Sequence, residues 1–207
     1  MQTEVIIELV RLIPSVLWFI FAIVLVAVLY TPFRREFLPR LTGFSAFGVE
    51  AKLIREELDK AVRTRGVEVP ESERSQVLRR AQRSTQILQG AKILWVDDNP
   101  ENFMYERNVL QALGVGVDLV KTTEGALSTL LQTQYHLVIS DMTRQDKPDE
   151  GLILLREMRK RGMQRPLIFF TASYDPEKGI PPHSFGITNR SDELLHLVMD
   201  ALERERA

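Results

Sequence analysis

From residue 92 to the C-terminus, short apolar runs alternate with segments in which apolar residues recur every three or four positions. A short apolar run predicts a buried strand, and the three-to-four spacing predicts an amphipathic helix. The predicted strands are 93–96, 115–120, 137–140 and 167–170, and the predicted helices are 100–113, 124–131, 152–161 and 192–205. Strands that alternate with helices in this way are typical of an α/β domain with a parallel sheet.

Capping and helix-stopping residues mark the ends of several of these helices. Asn99 is expected to cap the helix that Pro100 begins, and Gly114 is expected to end it. Gly162 ends the third predicted helix, and Ser191 is expected to cap the last one. These signals place the loops of the domain between its strands and helices.

Helical spacing of apolar residues also occurs before the first strand. It predicts one amphipathic helix around 49–62 and a second around 77–88. The segment 65–70 separates them, and Pro70 with Glu71 marks the start of the second helix. Three arrangements are compatible with the pattern: a helical hairpin, pairing with a second copy of the chain as a homodimer, or docking on the C-terminal domain. Too few heptads are present for a coiled coil.

The longest apolar stretch is Leu12–Tyr30, in which the phenol of Tyr30 is the only ionisable group. At about 1.5 Å per residue this segment reaches roughly 28 Å, which is enough to span a bilayer. Acidic residues, Glu4 and Glu8, precede it, so an uncleaved transmembrane helix is expected rather than a signal peptide. One arginine, Arg11, lies just before this segment, and three lie just after it: Arg34, Arg35 and Arg40. Because positively charged residues concentrate on the cytoplasmic side of a membrane span, the C-terminal part is expected in the cytoplasm.

Charge separates two parts of the remaining chain. Residues 31–89 hold 12 Lys+Arg and 8 Asp+Glu, whereas residues 90–207 hold 14 and 18. The basic part is attracted to an anionic lipid bilayer, or it is simply a solvated helix face. The predicted organisation is 1–33 with the transmembrane helix, 34–90 as a basic juxtamembrane helical region, and 91–207 as the α/β domain. The chain has no cysteine, which excludes disulfides, thiolate nucleophiles and cysteine-ligated metal sites.

Polar residues stand directly after three of the predicted strands. They are Asp97 and Asp98, then Asp141, then Thr171. The carboxyl ends of parallel strands share one edge of the sheet, where ligands bind. Carboxylates crowded together repel, so either their pKa values rise or a divalent cation neutralises them. An all-oxygen site with few protein ligands suits Mg²⁺, which also offsets the charge of a phosphoryl group bound at one carboxylate.

On these residues the sequence resembles the receiver domain of two-component response regulators, from Ala91 to about Arg206. The segments that carry the resemblance are 93–98, 137–142, 151–155 and 166–172. The resemblance implies a doubly wound, five-stranded parallel sheet of the flavodoxin-like, CheY-like kind. It also implies a signalling module that is not an enzyme beyond its own phosphorylation and dephosphorylation.

The resemblance further implies a role for each residue at the edge of the sheet. Asp141 would accept a phosphoryl group from a histidine kinase or act with another signalling protein. Asp97, Asp98 and Asp141 would hold Mg²⁺ together with the backbone carbonyl of Thr143. Thr171 would hydrogen-bond the phosphoryl group and shift on activation. With the apolar N-terminal segment, it implies a single-pass protein of the bacterial inner membrane with this domain in the cytoplasm.

Three features depart from the receiver pattern. The family has a Lys-Pro pair after its fifth strand, whereas residues 185–192 have neither, and Arg190 is the cation available to substitute. The loop 142–150 carries additional charged residues that could cover the acidic pocket. The segment 174–182, with two consecutive prolines, replaces the expected fourth helix, because a helix interior does not accept them.

Two further hypotheses stand beside a working receiver. One is a pseudo-receiver that is not phosphorylated and acts as a protein-interaction scaffold. The other is a nucleotide hydrolase similar to TIR domains, with Glu124 as its catalytic carboxylate. Concentrated acidic residues argue against the hydrolase, because a nucleotide site favours glycine-rich loops that bind phosphate. No DNA-reading module follows the last helix, so no nucleic-acid partner is expected, and the isolated histidines (His136, His183 and His196) are expected to serve packing or the surface.

Overall fold

The computed structural model describes residues 38–206 except 176 and 178, together with Trp18. It describes the side chains of Trp18 and of residues 51–205 with the same two exceptions. The chain divides into two compact units, Met1–Glu50 and Ala51–Ala207. The predicted membrane span lies outside the described residues apart from Trp18. Among the helices of the described part, none is long and apolar enough to cross a membrane. The division into 1–33, 34–90 and 91–207 stays a prediction.

The second unit is built on a parallel sheet of five strands in the order β2-β1-β3-β4-β5. The strands are β1 Lys92–Val96, β2 Gly116–Val120, β3 Leu137–Ser140, β4 Leu167–Phe170 and β5 Gly186–Thr188. The helices are α1 Leu38–Arg65, α2 Glu71–Arg83, α3 Thr85–Leu88, α4 Met104–Ala112 after a 3₁₀ turn at Pro100–Phe103, α5 Thr123–Gln132, α6 Glu150–Lys160 and α7 Ser191–Arg206. The predicted α/β class with a parallel sheet is confirmed, as are the four strands and four helices predicted after residue 92.

Strands β3 and β4 and nearly all of β1 are buried on both faces, which explains why they read as continuous apolar runs. Their register aligns Val96 with Ser140 and Ser140 with Phe169. The first residues after these strands therefore meet at one edge of the sheet. That edge is the carboxyl end of the parallel strands, as the sequence predicted.

A hydrophobic core lies on each face of the sheet. One core joins Trp95 and Phe170 of the sheet to α4, α7 and the N-terminal helices. The other joins Leu94, Val138 and Phe169 to α5 and α6. Helices thus cover both faces, which is the doubly wound arrangement that the resemblance implies.

The N-terminal helices pack onto the first of these cores. Leu58 and Val62 from α1 and Val77 and Ala81 from α2 are buried in it. The two helices also pair with each other, because Arg74 binds Asp59 at 2.6 Å. Of the three arrangements compatible with the sequence, the structure combines the hairpin with docking on the domain. The predicted break around 66–70 and the helix start after Pro70 are confirmed.

Truncating one of these docked side chains is expected to weaken the whole second unit. Leu58 is only 1% exposed. Because Leu58→Ala leaves a cavity in the core shared with the sheet, we expect the free energy of unfolding to fall by about 3 kcal/mol. Urea unfolding of the full-length chain measures this, with the exposed neighbour Leu53→Ala as control. A loss no larger than that of the control would contradict packing of the hairpin on the domain.

Two predicted helix caps are wrong. Asn99 makes no capping hydrogen bond with its side chain, and its backbone N–H instead donates to Asp97 Oδ1 at 2.7 Å. Ser191 is the first residue of α7, and its hydroxyl donates to Glu106 Oε1 at 2.8 Å. In both cases the residue donates a hydrogen bond to a carboxylate, Asp97 or Glu106, which is not a side-chain cap of the helix. A side-chain cap does occur at Thr122, which accepts from the N–H of Gly125 at 3.1 Å.

The segment between β4 and β5 contains no α-helix among its described residues. This agrees with the prediction from Pro181 and Pro182, since proline lacks the N–H that a helix interior needs. One side of the sheet edge is therefore bordered by loop rather than by helix.

Candidate functional site

Backbone hydrogen bonds extend the sheet by one residue beyond three of its strands. The N–H groups of Asp97, Asp141 and Thr171 donate to carbonyls of neighbouring strands or their ends, at 2.9 Å, 3.1 Å and 3.1 Å. The position of each of these residues is thus set by sheet pairing rather than by a free loop. The sequence prediction that they meet at the carboxyl edge is confirmed.

Asp97 is the most buried carboxylate of this edge, with 3% of its surface exposed. Its Oδ1 accepts from the N–H of Asn99, whereas its Oδ2 is buried without a hydrogen-bond partner. Burial, added to repulsion by Asp141 and Asp98, raises the pKa of Asp97 to about 7. An unpartnered carboxylate oxygen of this kind is costly unless a proton or a cation neutralises it.

Asp141 shares this environment. Burial raises its pKa above the usual value, and repulsion by Asp98 adds to that shift. The N–H of Met142 donates to Asp141 Oδ1 at 2.7 Å, and the backbone of Thr143 also favours the ionised form. The carboxylate is therefore held in place by its own loop while the pocket as a whole disfavours negative charge.

The loop 142–150 covers part of the acidic pocket. The backbone N–H of Gln145 donates to Asp98 Oδ2 at 2.8 Å. The loop makes this approach through a tight turn, closed by hydrogen bonds between the backbones of Arg144 and Lys147. Gln145 and Asp146 both have positive φ angles, as such a turn requires. The loop thus reaches Asp98, at the edge of the acidic pocket, through the backbone of Gln145.

Arg144 is the cation of the site, and the sequence did not single it out from its charged neighbours. Its side chain is only 2% exposed. Its guanidinium donates to Ser140 Oγ at 2.5 Å, to the carbonyl of Asp141 at 2.8 Å, to Thr123 Oγ1 at 2.8 Å and to the carbonyl of Glu150 at 3.0 Å. Its positive charge lowers the pKa of both Asp97 and Asp141, which opposes the effect of burial.

Thr171 and Thr143 line the same cleft as Asp141, which has a volume of about 900 Å³. The far wall of this cleft is the loop around Pro181, where the fourth helix of the resemblance is replaced. The hydroxyl of Thr171 donates to the carbonyl of Ser173. The carbonyl of Thr171 accepts from Arg65 Nη1 at 3.3 Å. All of the predicted site residues are therefore near this edge, but the hydroxyl of Thr171 is engaged within its own loop.

Arg190 binds carboxylates outside the pocket. Its guanidinium donates to both carboxylate oxygens of Asp192 and to Glu73 of α2. The hydrogen bonds to Asp192, followed by those to Glu73, raise the pKa of Arg190 further above its usual value. Arg144, rather than Arg190, thus supplies positive charge to Asp97 and Asp141, and it comes from a different loop than the lysine of the family.

The residues present fit a small divalent cation such as Mg²⁺. Within the described residues, no group of three or more His, Cys, Asp or Glu side chains is arranged to hold a metal ion by itself. Mg²⁺ nevertheless keeps several waters and often uses only one or two carboxylates. The unpartnered Oδ2 of Asp97 and the raised pKa values of Asp97 and Asp141 are the features that such a cation would relieve.

Glu124, the carboxylate considered for a nucleotide hydrolase, does not line the cleft beside Asp141. It is exposed and lines a cavity of about 100 Å³ together with Arg144 and Glu150. Binding pockets for organic ligands usually have about 300 Å³ or more. The geometry around Glu124 therefore does not favour a nucleotide site.

Two of the isolated histidines make contacts within the fold. His136 accepts a hydrogen bond from the N–H of Lys92 at 3.0 Å, and His196 contacts Arg80 at 3.3 Å. Both contacts fit the packing role expected of these residues.

Solved structures of response regulators resemble this chain over about half of its length. They include the receiver domain of the Francisella response regulator 1452, at 20% identity and a TM-score of 0.49 over 56% of this chain and 98% of that one. A second is the response regulator TrrA from Thermotoga maritima in complex with Mg²⁺ and BeF, at 26% identity and a TM-score of 0.47 over 54% of this chain and 98% of that one. A third is the chemotaxis response regulator CheY4 of Vibrio cholerae, at 21% identity and a TM-score of 0.45 over 54% of this chain and 98% of that one. No curated protein matches the chain.

A family model gives the more specific result. The model of the response regulator receiver domain matches residues 93–187, from β1 to β5. This range contains the carboxylates at the edge of the sheet and Thr171. Residues 93–187 therefore form a receiver domain of the two-component response regulator type.

Proposed function

We propose that this chain is a membrane-anchored receiver module that accepts a phosphoryl group on Asp141. Mg²⁺ would be held beside it by one or two of the carboxylates of Asp97, Asp98 and Asp141, with the backbone carbonyl of Thr143 and waters as further ligands. The observation that carries the proposal is the pair of carboxylates at the ends of β1 and β3, the buried Asp97 and the half-buried Asp141, whose charge is only partly balanced by Arg144. A site of this composition favours a cation and the phosphoryl oxygens that the cation attracts.

The residues of the pocket divide the transfer step between them. A carboxylate oxygen of Asp141 forms the new P–O bond as the P–N bond to a histidine of the donor kinase breaks, and the leaving imidazole takes up a proton. The backbone N–H of Met142 orients the carboxylate, and Arg144 provides fixed positive potential. Thr171 donates to a phosphoryl oxygen once its hydroxyl leaves the carbonyl of Ser173. Mg²⁺, when bound, neutralises charge that develops on the phosphoryl oxygens.

Membrane attachment rests on the sequence of the N-terminal segment. The span Leu12–Tyr30 is long and apolar enough to cross a bilayer, and the arginines after it place the receiver domain on the cytoplasmic side of a bacterial inner membrane. The partners of the module are then the lipid bilayer and a histidine kinase or another signalling protein. Self-association through the apolar face of α1 and α2 is not part of the proposal, because that face packs within the chain.

Stabilisation by Mg²⁺ tests the proposed site. We expect Mg²⁺ to raise the melting temperature of the full-length chain at pH 8, because a ligand stabilises the folded state that binds it. Asp98→Asn should remove most of this shift. The matched control is Asp146→Asn, an exposed carboxylate of the neighbouring loop whose positive φ angle asparagine tolerates. An equal shift in the Asp98 variant would contradict the site, and a shift with nucleotide instead of Mg²⁺ would favour the hydrolase.

A second candidate, the pseudo-receiver, is favoured by one group of observations. The lysine of the family is missing, Arg190 is paired outside the pocket, and Asp98 already accepts from the loop at Gln145. In that case the covered pocket serves protein interaction and carries no phosphoryl group. The two candidates differ in whether a covalent adduct forms on Asp141.

A further inference from the structure

The last residue of α1 reaches from the N-terminal hairpin to the edge of the sheet that holds the site. Arg65 lies outside the part of the chain that matches the receiver family. Its Nη1 donates to the carbonyl of Thr171 at 3.3 Å, and its Nε lies 3.3 Å from Glu106 Oε1. The hairpin is thus connected directly to the residue that the proposed function assigns to the phosphoryl group.

Several elements of the domain fix the guanidinium of Arg65. It lies 4.4 Å from the ring centre of Phe103 and 4.1 Å from that of Phe170, so both aromatic rings contact it. Its side chain is only 10% exposed. Glu106, which it pairs with, is itself buried and accepts from Ser191 of α7. A cation desolvated between two rings and a buried carboxylate is held firmly and in one orientation.

One nitrogen of this guanidinium remains unsatisfied. Nη2 of Arg65 is buried and has no hydrogen-bond partner. A buried donor without an acceptor costs free energy, so the contact with Thr171 is held at a cost that another arrangement would remove. The docked position of Arg65 therefore carries an unfavourable contribution, which opposes its contacts with Glu106 and the two rings.

Thr171 connects this contact to the pocket. Its hydroxyl donates to the carbonyl of Ser173 while its carbonyl accepts from Arg65. For the hydroxyl to reach a phosphoryl group on Asp141, it has to leave the carbonyl of Ser173. Arg65 holds the main chain of Thr171 through its carbonyl, so this contact opposes any main-chain shift of Thr171 toward the phosphoryl site.

We infer that Arg65 is an autoinhibitory contact, which holds Thr171 away from the phosphoryl site and links docking of the α1–α2 hairpin to the occupancy of Asp141. The inference rests on the proposed function, because it requires a ligand at Asp141. Linkage makes the effect reciprocal: a ligand at Asp141 loosens the hairpin, and loss of the Arg65 contact tightens binding of that ligand. The hairpin then carries the state of the pocket toward the N-terminal segment.

Binding of beryllium fluoride with Mg²⁺ to the full-length chain tests the inference by calorimetry. Arg65→Met keeps an apolar side chain between the two rings but removes every donor, and we expect it to bind the probe about tenfold more tightly than wild type. Arg65→Lys keeps a positive charge opposite Glu106 and takes the place of the methionine variant if that variant does not fold. The control is Arg55→Met, on the same helix, which loses exposed contacts with Glu71 and Ser75.

The direction of the change separates regulation from packing. If Arg65 only stabilises the fold, its removal leaves the affinity for the probe unchanged or lowers that affinity. If Arg65 restrains Thr171, its removal raises the affinity. In wild type, the probe should also speed amide exchange of residues 54–65 by about tenfold, as reciprocity requires. If wild type binds the probe and the Arg65 variants bind it equally or more weakly, this inference is overturned and the proposed function is not. Absence of binding in wild type overturns the proposed function as well.

Discussion

Asp97→Asn is expected to raise the free energy of unfolding of the metal-free chain by about 4 kcal/mol at pH 8 and to change it little at pH 4. The pKa of Asp97 rises from 3.8 to about 7 on folding, chiefly because the carboxyl group is buried. Below pH 3.8 the carboxyl group of Asp97 is protonated in both the folded and the unfolded chain, so its burial as a charged group does not lower the free energy of unfolding. As the pH rises toward 7, the unfolded chain releases this proton before the folded one, so the folded state loses stability.

Chemical denaturation between pH 4 and pH 8 measures this effect. Wild type should lose stability relative to Asp97→Asn over that interval, and the difference should level off above pH 8. Asp146→Asn, in the exposed part of the neighbouring loop, should keep the wild-type profile. Parallel profiles for wild type and Asp97→Asn would show that Asp97 is not the buried, unbalanced carboxylate of the pocket.

Arg144→Met is expected to lower the free energy of unfolding by about 4 kcal/mol at neutral pH, because it removes one partner of a buried charge network. The side chain is almost fully buried, and its loss removes the donor to Thr123 Oγ1, Ser140 Oγ and the carbonyl of Glu150. The carbonyl of Asp141 keeps the hydroxyl of Ser140 as a donor. It also removes the positive charge that favours ionised Asp97 and Asp141. Urea unfolding measures the loss, with the exposed Arg156→Met on α6 as control.

A double variant separates the electrostatic part of this loss from the hydrogen bonds. In an Asp97→Asn background one of the carboxylates that Arg144 neutralises is gone, so Arg144→Met should cost less free energy of unfolding there than in wild type. Equal costs in both backgrounds would mean that Arg144 contributes nothing to the charge balance of Asp97.

The sheet was predictable because its central strands are buried on both faces. Four of five strands appear in the sequence as apolar runs, and their ends place Asp97, Asp141 and Thr171 correctly. The fifth strand, Gly186–Thr188, has only three residues and begins with glycine, so it does not appear in the sequence as an apolar run. Its presence followed from the resemblance and not from the pattern.

The cations of the site were not predictable from the sequence. Arg144 is one of several charged residues in an irregular loop, and Arg65 is the last residue of a helix in another part of the chain. Their roles depend on which carboxylates and rings the fold brings to them over long separations. The same reason applies to Ser191, whose hydroxyl donates to Glu106 from a distant part of the chain, whereas nothing in the structure explains why the side chain of Asn99 makes no capping hydrogen bond.

The central claim is that Asp141 accepts a phosphoryl group, and intact mass spectrometry tests it most directly. The full-length chain is incubated with acetyl phosphate and Mg²⁺ at pH 8, beside Asp141→Asn and the control Asp146→Asn. We predict a single phosphoryl adduct on wild type and on the control, and none on the Asp141 variant. Absence of the adduct from wild type, or its persistence in Asp141→Asn, would contradict the claim, and absence from wild type would favour the pseudo-receiver.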